Sequence, residues 1–505
     1  MKQLSKYLST LLLCTLCSIS LIANASKITN EKNTADKQKW NFLIIVVDDL
    51  GFMDIAPNNP ETFYKTPNIT QLAKEGVNFS NSYAANPVCS PSRVALMTGI
   101  NPAKLRTTDW FHHKHGKRLS GHFNVANSLD YLPKNTLTLA EALPEDYQTS
   151  FIGKWHLGEE ETYWPEHQGF DSNIAGWSSG SPRGGYFAPY KNPRLKQGMD
   201  GEYLTERLSD EAIKQLAETN GKPFLMVLSY YSVHVPLQAP KETIAHYKKL
   251  SPSHLSDNNF ALEEQVLPQS KQARKVRIKQ NHPTYAAMVE HMDTNVGRVL
   301  AELKRSGLDN NTVVIFTSDN GGLSTAEGHP TSNLPYRGGK GWIYEGGIKV
   351  PLIVKIPQLG QQGKVQTSPV IGMDVPTTIL TLANQKTAAL DGVDLTSLIS
   401  NTASSITRPL FWHYPHYSNQ GGVPAAAVRL GNFKLIQRLE SGKLHLFNLN
   451  NDPGEQNDIA AQFPEQLEKL TKLLTNWYKE VDAQFLTPKA NRTPWQSSEG
   501  TQHAL

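Results

Sequence analysis

Two pairs of polar residues follow apolar runs that are typical of buried strands. Asp48 and Asp49 follow the first such run, and Asp319 and Asn320 follow a later one, VVIFTS. Either pair alone also fits an ordinary turn. In a parallel sheet, however, the carboxyl ends of the strands share one edge, where ligands bind. Three carboxylates and an amide oxygen at such an edge are hard ligands and predict a site for Ca²⁺ or Mg²⁺.

Cys89 lies in the segment NPVCSPSRVALMTG. Pro91 fits the first turn of a helix, so we expect Cys89 near the helix N-terminus, where free N–H groups and the helix dipole favour an anion. Arg93 is four residues further on and shares a helical face with Cys89. This arrangement suits an anionic ester, although a single cysteine is also compatible with a small buried apolar residue.

The N-terminal segment has the pattern of a secretory signal. Lys2 and Lys6 precede an apolar run, and Ala23-Asn24-Ala25 is the small-x-small pattern that signal peptidase cleaves. The run is short and interrupted by polar residues, which disfavours a membrane anchor. We therefore expect cleavage after Ala25, a periplasmic or secreted protein, and no stable membrane insertion.

Composition sets the broad class of the protein. With 505 residues, of which 39% are hydrophobic and 19% charged, the chain is globular rather than disordered or fibrous. Loss of the signal removes two lysines and two of the three cysteines, which lowers the formal net charge from +4 to +2 and leaves Cys89. The mature protein is then expected to have no internal disulfide and no general affinity for nucleic acid.

Strand-like and helix-like segments alternate along most of the chain, which predicts an α/β fold with a mostly parallel central sheet sandwiched by helices. The candidate strands are 42–47, 149–152, 224–230 and 313–317, and the candidate helices are 68–75, 203–218 and 285–305. After about Asp391 the pattern changes and predicts a smaller α+β subdomain with an antiparallel sheet. Its candidate strands are 410–414, 426–430, 433–437 and 444–449, followed by an amphipathic helix at 464–481.

The run CSPSRVALMTG resembles the signature of the type I sulfatases, in which the cysteine of C-x-P-x-R is oxidised after synthesis to formylglycine. Further motifs extend the resemblance in order from Asn41 to about Trp477. They are DD at 48–49, GKWH at 153–156, SVHVP at 232–236, DNGG at 319–322, RGGKG at 337–341 and YEGGI at 344–348. The resemblance implies an alkaline phosphatase-like fold and hydrolysis of sulfate esters. The signal pattern, the polar segment after it and the change of pattern near Asp391, together with the resemblance, predict a signal peptide at 1–25, a flexible lead-in at 26–40, a catalytic domain at 41–390 and a C-terminal subdomain at 391–505.

The resemblance also implies a metal site and a nucleophile. A divalent ion, usually Ca²⁺, is implied to be held by Asp48, Asp49, Asp319 and Asn320, with the modified Cys89 as a further ligand. The aldehyde hydrates to a gem-diol, and a cation beside one hydroxyl lowers its pKa, so that it attacks sulfur.

Five further residues receive roles from the resemblance. Arg93, Lys154 and Lys340 spread the charge of the sulfate ester. His234 matches the position that protonates the departing alcohol, together with Lys340. His156 acts on the second gem-diol hydroxyl, so that sulfate is expelled. Judged singly, His156 also fits a buried core histidine, and Lys340 a solvated loop lysine.

Three segments and one serine bear on substrate binding. Ser179 aligns loosely with a family serine that touches sulfate. The segment TTDWFHHKHGKR at 107–118, with His112, His113 and His115, either lines a sugar pocket or forms a surface loop. The segment WHYPHY at 412–417 includes His413 and His416. It either stacks on sugar rings or packs at a hinge. QARKVRIK at 272–279 is expected to be a solvated helix face rather than a polyanion track.

The leading hypothesis is an exported, Ca²⁺-dependent sulfatase that acts on an oligosaccharide from a sulfated polysaccharide. Its expected partners are that sulfated carbohydrate and a formylglycine-generating or other sulfatase-maturing enzyme. One alternative is a phosphoester or phosphonate hydrolase of the same superfamily. The other is a non-catalytic carbohydrate-binding homologue.

Overall fold

A computed structural model describes residues 39–111, 123–264 and 274–489. The signal peptide, nearly all of the lead-in, and His112, His113 and His115 lie outside the described residues. The chain divides into a unit at 1–39 and a unit at 40–505, and all contacts below belong to the second unit. Within the described ranges, no helix is both long and apolar enough to cross a lipid bilayer.

Strands occur in every part of the described chain and are numbered in chain order. They are β1 (Asn41–Val47), β2 (Val77–Phe79), β3 (Ser82–Tyr83), β4 (Phe123–Asn124), β5 (Gln148–Gly153), β6 (Ser172–Ile174), β7 (Phe224–Ser229), β8 (Phe260–Leu262), β9 (Lys275–Arg277), β10 (Thr312–Ser318), β11 (Leu352–Lys355), β12 (Lys364–Gln366), β13 (Val370–Ile371), β14 (Leu410–Tyr414), β15 (Ala425–Leu430), β16 (Phe433–Arg438), β17 (Leu444–Asn448) and β18 (Thr487–Pro488).

The α-helices are α1 (Pro67–Glu75), α2 (Cys89–Thr98), α3 (Leu139–Ala142), α4 (Leu204–Ala217), α5 (Lys241–Leu250), α6 (Pro283–Arg305), α7 (Glu345–Ile348), α8 (Asp374–Leu382), α9 (Thr396–Ile399) and α10 (Pro464–Glu480). Short 3₁₀ turns occur at Phe52–Asp54, Glu161–Tyr163, Pro165–His167 and Asp257–Asn259. The candidate strands and helices form within two residues of their expected bounds, except for the helix face expected at 272–279.

Eight strands form the central sheet in the order β12-β2-β11-β10-β1-β7-β5-β6. Neighbouring strands are parallel except that β11 runs antiparallel to both β10 and β2. The prediction of a mostly parallel sheet is therefore confirmed. β10, β1, β7 and β5 are adjacent and parallel, so their carboxyl ends lie side by side along one edge.

The central strand β1 is buried on both faces. Leu43, Ile45 and Val47 belong to one hydrophobic cluster with residues of α1, α4 and α6, whereas Phe42 and Ile44 belong to another with residues of α2, α3 and α8. Successive side chains of a strand point to opposite faces, so helices on both sides demand an uninterrupted apolar run. The predicted helical sandwich is confirmed.

The predicted C-terminal antiparallel sheet is also confirmed, as β14-β15-β16-β17. The amphipathic α10 packs its apolar stripe on this sheet: Leu470, Leu474 and Trp477 share a hydrophobic cluster with Val428 and Leu435. Burial of this stripe explains why the 3.6-residue pattern of the helix is visible in the sequence.

The prediction of a solvated helix face at 272–279 is wrong for the described part of that segment. Lys275–Arg277 forms β9, antiparallel to β8, and the Arg277 side chain is buried. Its guanidinium donates hydrogen bonds to the His329 carbonyl at 2.5 Å and to Asn281 Oδ1 at 2.7 Å. A three-residue strand is too short for its period to be read from the sequence.

Candidate active site

The carboxyl ends of the adjacent parallel strands bring the candidate residues together. Asp48 directly follows β1, Lys154 directly follows β5 and Asp319 directly follows β10. His234 lies in the loop that follows β7. This is the edge at which ligands of parallel α/β sheets bind, and the placement agrees with the sequence-based expectation.

Cys89 is the first residue of α2. The preceding residue, Val88, has extended backbone. The helix ends at Thr98 and is capped by Gly99, which has a φ of 71° and donates its N–H to the Ala95 carbonyl. Cys89 Sγ lies 3.7 Å from Asp48 Oδ1. Burial raises the pKa of Cys89 to about 12 even though Lys154 lowers it, so an unmodified side chain is a neutral thiol at neutral pH.

Three buried carboxylates each face one cation of the chain. The closest pairs are Lys154 Nζ with Asp48 Oδ2 at 2.7 Å, Lys340 Nζ with Asp49 Oδ1 at 2.7 Å, and Arg93 Nε with Asp319 Oδ2 at 2.8 Å. We call these six residues the site cluster. Every one of them is shielded from solvent, so their interactions are weakly screened.

The carboxylates of the site cluster differ in protonation. Burial raises the pKa of Asp48 to about 8, and Lys154 offsets only part of that rise. Burial also acts on Asp49 and Asp319, but Lys340 and Arg93 hold the pKa of each below its usual value. The crowded carboxylates therefore retain a proton that a further cation would displace.

A divalent cation fits this arrangement. Asn320 Nδ2 donates to Asp49 Oδ1 at 2.8 Å, whereas Asn320 Oδ1 is buried without a hydrogen-bond partner among the described residues. The ligand atoms of Asp48, Asp49, Cys89 and His234 lie within 4.8 Å of one another. An orphaned amide oxygen beside carboxylates is the donor set of a hard cation. His234 joins the group by position, although the sequence had not indicated it as a metal ligand.

Arg93 provides a complementary feature for an anion. Its Nη1 donates to the Lys154 carbonyl and to Ser229 Oγ, both at 2.7 Å, which fixes the guanidinium plane. Its Nη2 is buried and makes no hydrogen bond among the described residues. A buried cationic donor of this kind suits an anionic oxygen. Ser229 ends β7, and no motif in the sequence marks it.

His156 follows the end of β5 with a backbone φ of 61°. Its Nδ1 lies 3.2 Å from Ser90 Oγ and its Nε2 lies 3.2 Å from the Phe111 carbonyl. Burial holds its pKa well below the usual value, and Lys154 and Arg93 add to the effect. The ring lines a cleft, so it is a neutral imidazole beside Cys89 rather than a core histidine.

The His234 ring contacts the backbone of its own loop. Its Nδ1 lies 2.7 Å from the Val235 carbonyl, and its Nε2 lies 3.8 Å from Asp49 Oδ2. Burial and then Lys340 lower the pKa of His234 to about 3, although Asp49 opposes them. Asp49 raises the pKa of Lys340 well above its usual value despite burial. In this state Lys340 therefore carries a proton and His234 is neutral.

A cleft of about 250 Å³ opens over Cys89. Four of the sequence-predicted residues line it, namely Cys89, His156, His234 and Lys340. The residues that line it without any sequence motif include Arg183, Glu327, Asn419 and Gln420. These positions lie in loops far apart in the sequence, so only the folded structure brings them to one cleft.

Two expectations about substrate contacts change. The Ser179 hydroxyl donates to the Ser181 carbonyl at 2.8 Å and accepts from Arg183 Nε at 3.1 Å, so it serves its own loop. The stretch 412–417 is buried and none of its residues lines the cleft. Trp412 Nε1 donates to the Ala84 carbonyl at 2.8 Å. Packing within the fold, not stacking on sugar, describes this stretch, because its side chains are buried and none lines the cleft. Trp110, from 107–118, does line the cleft.

Comparison with known proteins points to one family. A model described as "Sulfatase" matches residues 40–385, and one for the C-terminal region of N-sulphoglucosamine sulphohydrolase matches 338–484. Arylsulfatase J of Mus musculus is 28% identical, covering 92% of this chain and 80% of that protein. N-acetylgalactosamine-6-sulfatase of Mus musculus is 30% identical, covering 79% and 72% respectively. The structure of Ps i-CgsB in complex with k-i-k-neocarrahexaose is 28% identical with a TM-score of 0.69, covering 87% of this chain and 93% of that one.

Proposed function

The chain belongs to the sulfatase family and is a sulfuric ester hydrolase, and on that premise we propose that it removes sulfate from a carbohydrate with a formylglycine made from Cys89. The observation that carries this proposal is the placement of Cys89. It begins α2, with its Sγ 3.7 Å from Asp48 Oδ1 and with Arg93, whose buried Nη2 suits an anion, one helical turn further on.

The protonation of Cys89 supports the modification. A thiolate is the reactive form of cysteine, and burial raises the pKa of Cys89 to about 12, so the unmodified side chain is a poor nucleophile. Conversion by a sulfatase-maturing enzyme supplies a hydrated aldehyde in place of the thiol as the nucleophile toward sulfur. The neutral imidazole of His156 is then placed to take a proton from the side chain of residue 89 as sulfate leaves.

We assign a Ca²⁺ site to Asp48, Asp49, Asp319, Asn320 and residue 89. When bound, the ion supplies positive charge that favours the deprotonated nucleophile and draws charge from the sulfate oxygens. The support is the orphaned Asn320 Oδ1 and the proton retained by Asp48. The all-oxygen donors that accompany residue 89 suit Ca²⁺ or Mg²⁺, and the resemblance to the type I sulfatases favours Ca²⁺.

The cations of the chain bind and orient the ester. Arg93 Nη2 offers a fixed donor to one sulfate oxygen, Lys340 adds charge in the cleft lining, and Lys154 adds charge from the buried site cluster. Lys340 holds the proton needed by the departing alcohol, because Asp49 keeps it charged. An anionic ester beside His234 raises the pKa of that imidazole, which lets His234 share the proton with Lys340.

The carbohydrate substrate is supported by the relatives and by the cleft. One relative is an N-acetylgalactosamine-6-sulfatase, and one similar structure was solved with k-i-k-neocarrahexaose. The cleft walls carry charged and amide side chains suited to sugar hydroxyls. We propose that the enzyme meets an oligosaccharide from a sulfated polysaccharide in the periplasm or outside the cell, after cleavage behind Ala25. In this proposal residues 41–390 form the catalytic domain, and 391–505 contribute Asn419 and Gln420 to the cleft.

Sulfate release by the mature enzyme tests the proposal. Defined sulfated oligosaccharides, an aryl sulfate and an aryl phosphate should be compared at equal concentrations. We expect sulfate release from at least one oligosaccharide and a clear preference for the aryl sulfate over the aryl phosphate. A strong preference for the phosphate would instead favour the phosphoester hydrolase alternative, and no release from any compound would favour a binding protein.

A further inference from the structure

The cleft over Cys89 has a wall that the sulfate chemistry does not use. We propose that Glu327 on this wall accepts a hydrogen bond from a free hydroxyl of the sugar that carries the scissile sulfate, and excludes a second sulfate at that position. The inference rests on the proposed carbohydrate substrate and adds the substitution pattern that the enzyme selects.

Only one of the two oxygens of the Glu327 carboxylate accepts hydrogen bonds from the described residues. Its Oε1 accepts hydrogen bonds from Asn419 Nδ2 at 2.6 Å and from Gln420 Nε2 at 2.8 Å. Its Oε2 makes no hydrogen bond among the described residues, and the side chain is exposed in the cleft. The wall therefore presents an oriented carboxylate oxygen with unused acceptor capacity.

The amide of Gln420 is itself held rigidly. Ser418 Oγ donates to Gln420 Oε1 at 2.5 Å, which directs the amide nitrogen toward Glu327. The Gln420 carbonyl accepts from Thr325 Oγ1 at 2.8 Å and from Trp342 Nε1 at 3.0 Å. A binding group supported in this way loses little freedom when a ligand arrives.

The backbone at this wall has an unusual form. Glu327 has a φ of 52°, a left-handed value that residues other than glycine seldom adopt. A strained residue held by its surroundings is a pointer to function. Gly341, directly after Lys340, also has a positive φ, and a Cβ there would lie 2.1 Å from Ser418 Oγ. Glycine at position 341 therefore allows Ser418, which holds the Gln420 amide, to pack against the backbone next to Lys340.

The two walls of the cleft carry opposite charge. Arg183 belongs to the loop that adjoins His156, where a Cβ on Gly180 would lie 2.4 Å from His156 Cε1. Glu327 lines the same cleft as Lys340 and is held there by Asn419 and Gln420. A carboxylate attracts hydroxyl donors and repels a second sulfate, so the Glu327 wall distinguishes the two substituents.

The test compares substrates on the mature, full-length enzyme. The probes are a monosulfated sugar with free hydroxyls beside the sulfate, its derivatives O-methylated or O-sulfated at each of those hydroxyls, and an aryl sulfate. The variants are Glu327→Gln and Glu327→Ala, and the matched control is Glu468→Gln on the exposed face of α10. Thermal unfolding confirms that each variant folds.

We expect the wild type to prefer one free hydroxyl over its O-methyl and O-sulfated forms by about 10- to 100-fold in kcat/KM, the range for hydrogen bonds to charged groups. Both Glu327 variants should bring these ratios close to one, with a smaller change on the aryl sulfate, and Glu468→Gln should retain them. Unchanged ratios in both Glu327 variants would overturn the inference. Activity on the aryl sulfate alone, with no sugar accepted, would instead reject the carbohydrate proposal itself.

Discussion

Two buried clusters of charged residues lie in this protein, and they differ in what surrounds them. The site cluster meets the cleft at Lys340. Its Arg93 Nη2 and the neighbouring Asn320 Oδ1 are buried without hydrogen bonds among the described residues. The second cluster links the C-terminal sheet to the main fold: Lys434 Nζ lies 3.0 Å from Glu345 Oε1 and 2.8 Å from Glu455 Oε1. We call this second group the interdomain cluster.

The groups of the interdomain cluster contact one another and not the cleft. Glu345 also accepts from Tyr83 Oη at 2.7 Å, and the Glu345 backbone N–H donates to Glu455 at 2.6 Å. None of these residues lines the cleft over Cys89. Buried, perturbed carboxylates thus occur in both clusters, so perturbation alone does not mark the active site. Access to the cleft separates the two, so the following changes should affect activity at the site cluster, and stability without activity at the interdomain cluster.

The largest effect should come from Cys89→Ala. Without a residue that can become the nucleophile, we expect turnover of an aryl sulfate to fall at least about 10³-fold. The free energy of unfolding should change little, since the substitution removes one small buried atom group. Assays with matched amounts of folded protein check both statements. Substantial turnover by this variant would break the contrast between the clusters.

Lys434→Met should act in the opposite sense, on stability. Removal of the ammonium group leaves two buried carboxylates without their cation, which costs about 3–5 kcal/mol of unfolding free energy. The folded fraction should keep its sulfatase activity. Chemical denaturation measures the loss, with Lys479→Met on the exposed face of α10 as a control expected to stay within about 0.5 kcal/mol. Equal stability of the two variants would show that the interdomain cluster contributes nothing.

Removal of the metal should affect the site cluster alone. Treatment with a chelator should abolish activity and lower Tm, and added Ca²⁺ should restore both, because a ligand of the folded state stabilises it. Asn320→Ala should raise the Ca²⁺ concentration needed by about 10- to 100-fold. Asn476→Ala on α10 should need the same Ca²⁺ concentration as the wild type. Full activity in the presence of chelator would contradict the assigned metal site.

The smallest effect is a pH dependence in the interdomain cluster. Burial raises the pKa of Glu455 from 4.5 to about 7, reinforced by Glu345 and opposed by Lys434. The folded protein therefore binds a proton that the unfolded chain has released, and this contribution to stability is lost as pH rises from about 4.5 to 7. Glu455→Gln should flatten that part of the stability profile. Identical profiles for the variant and the wild type would show that Glu455 titrates normally.

Most of the fold could be predicted because strands buried on both faces of the sheet are marked by continuous runs of apolar residues. β1 is apolar from Phe42 to Val47 and β10 is apolar from Val313 to Phe316, since helices cover both faces of the sheet. The antiparallel course of β11 was not predicted. A four-residue strand carries no sign of its direction, which depends on the path of the chain between β10 and β11.

Only part of the site could be predicted from the sequence. Residues that directly follow strands, such as Asp48, Lys154 and Asp319, lie in recognisable motifs. Glu327 and Gln420 were not predicted, because nearly a hundred residues separate them and only packing of the C-terminal subdomain brings them together. Surface loops of this kind carry specificity without local sequence patterns.

The central claim is that residue 89 of the active enzyme is formylglycine. Mass spectrometry of the peptide that contains this residue, from active enzyme purified from its native host, tests it most directly. We expect the mass in which an aldehyde replaces the CH₂–SH group, together with reactivity toward a hydrazine probe. A fully active preparation whose peptide carries unmodified cysteine throughout would contradict the account.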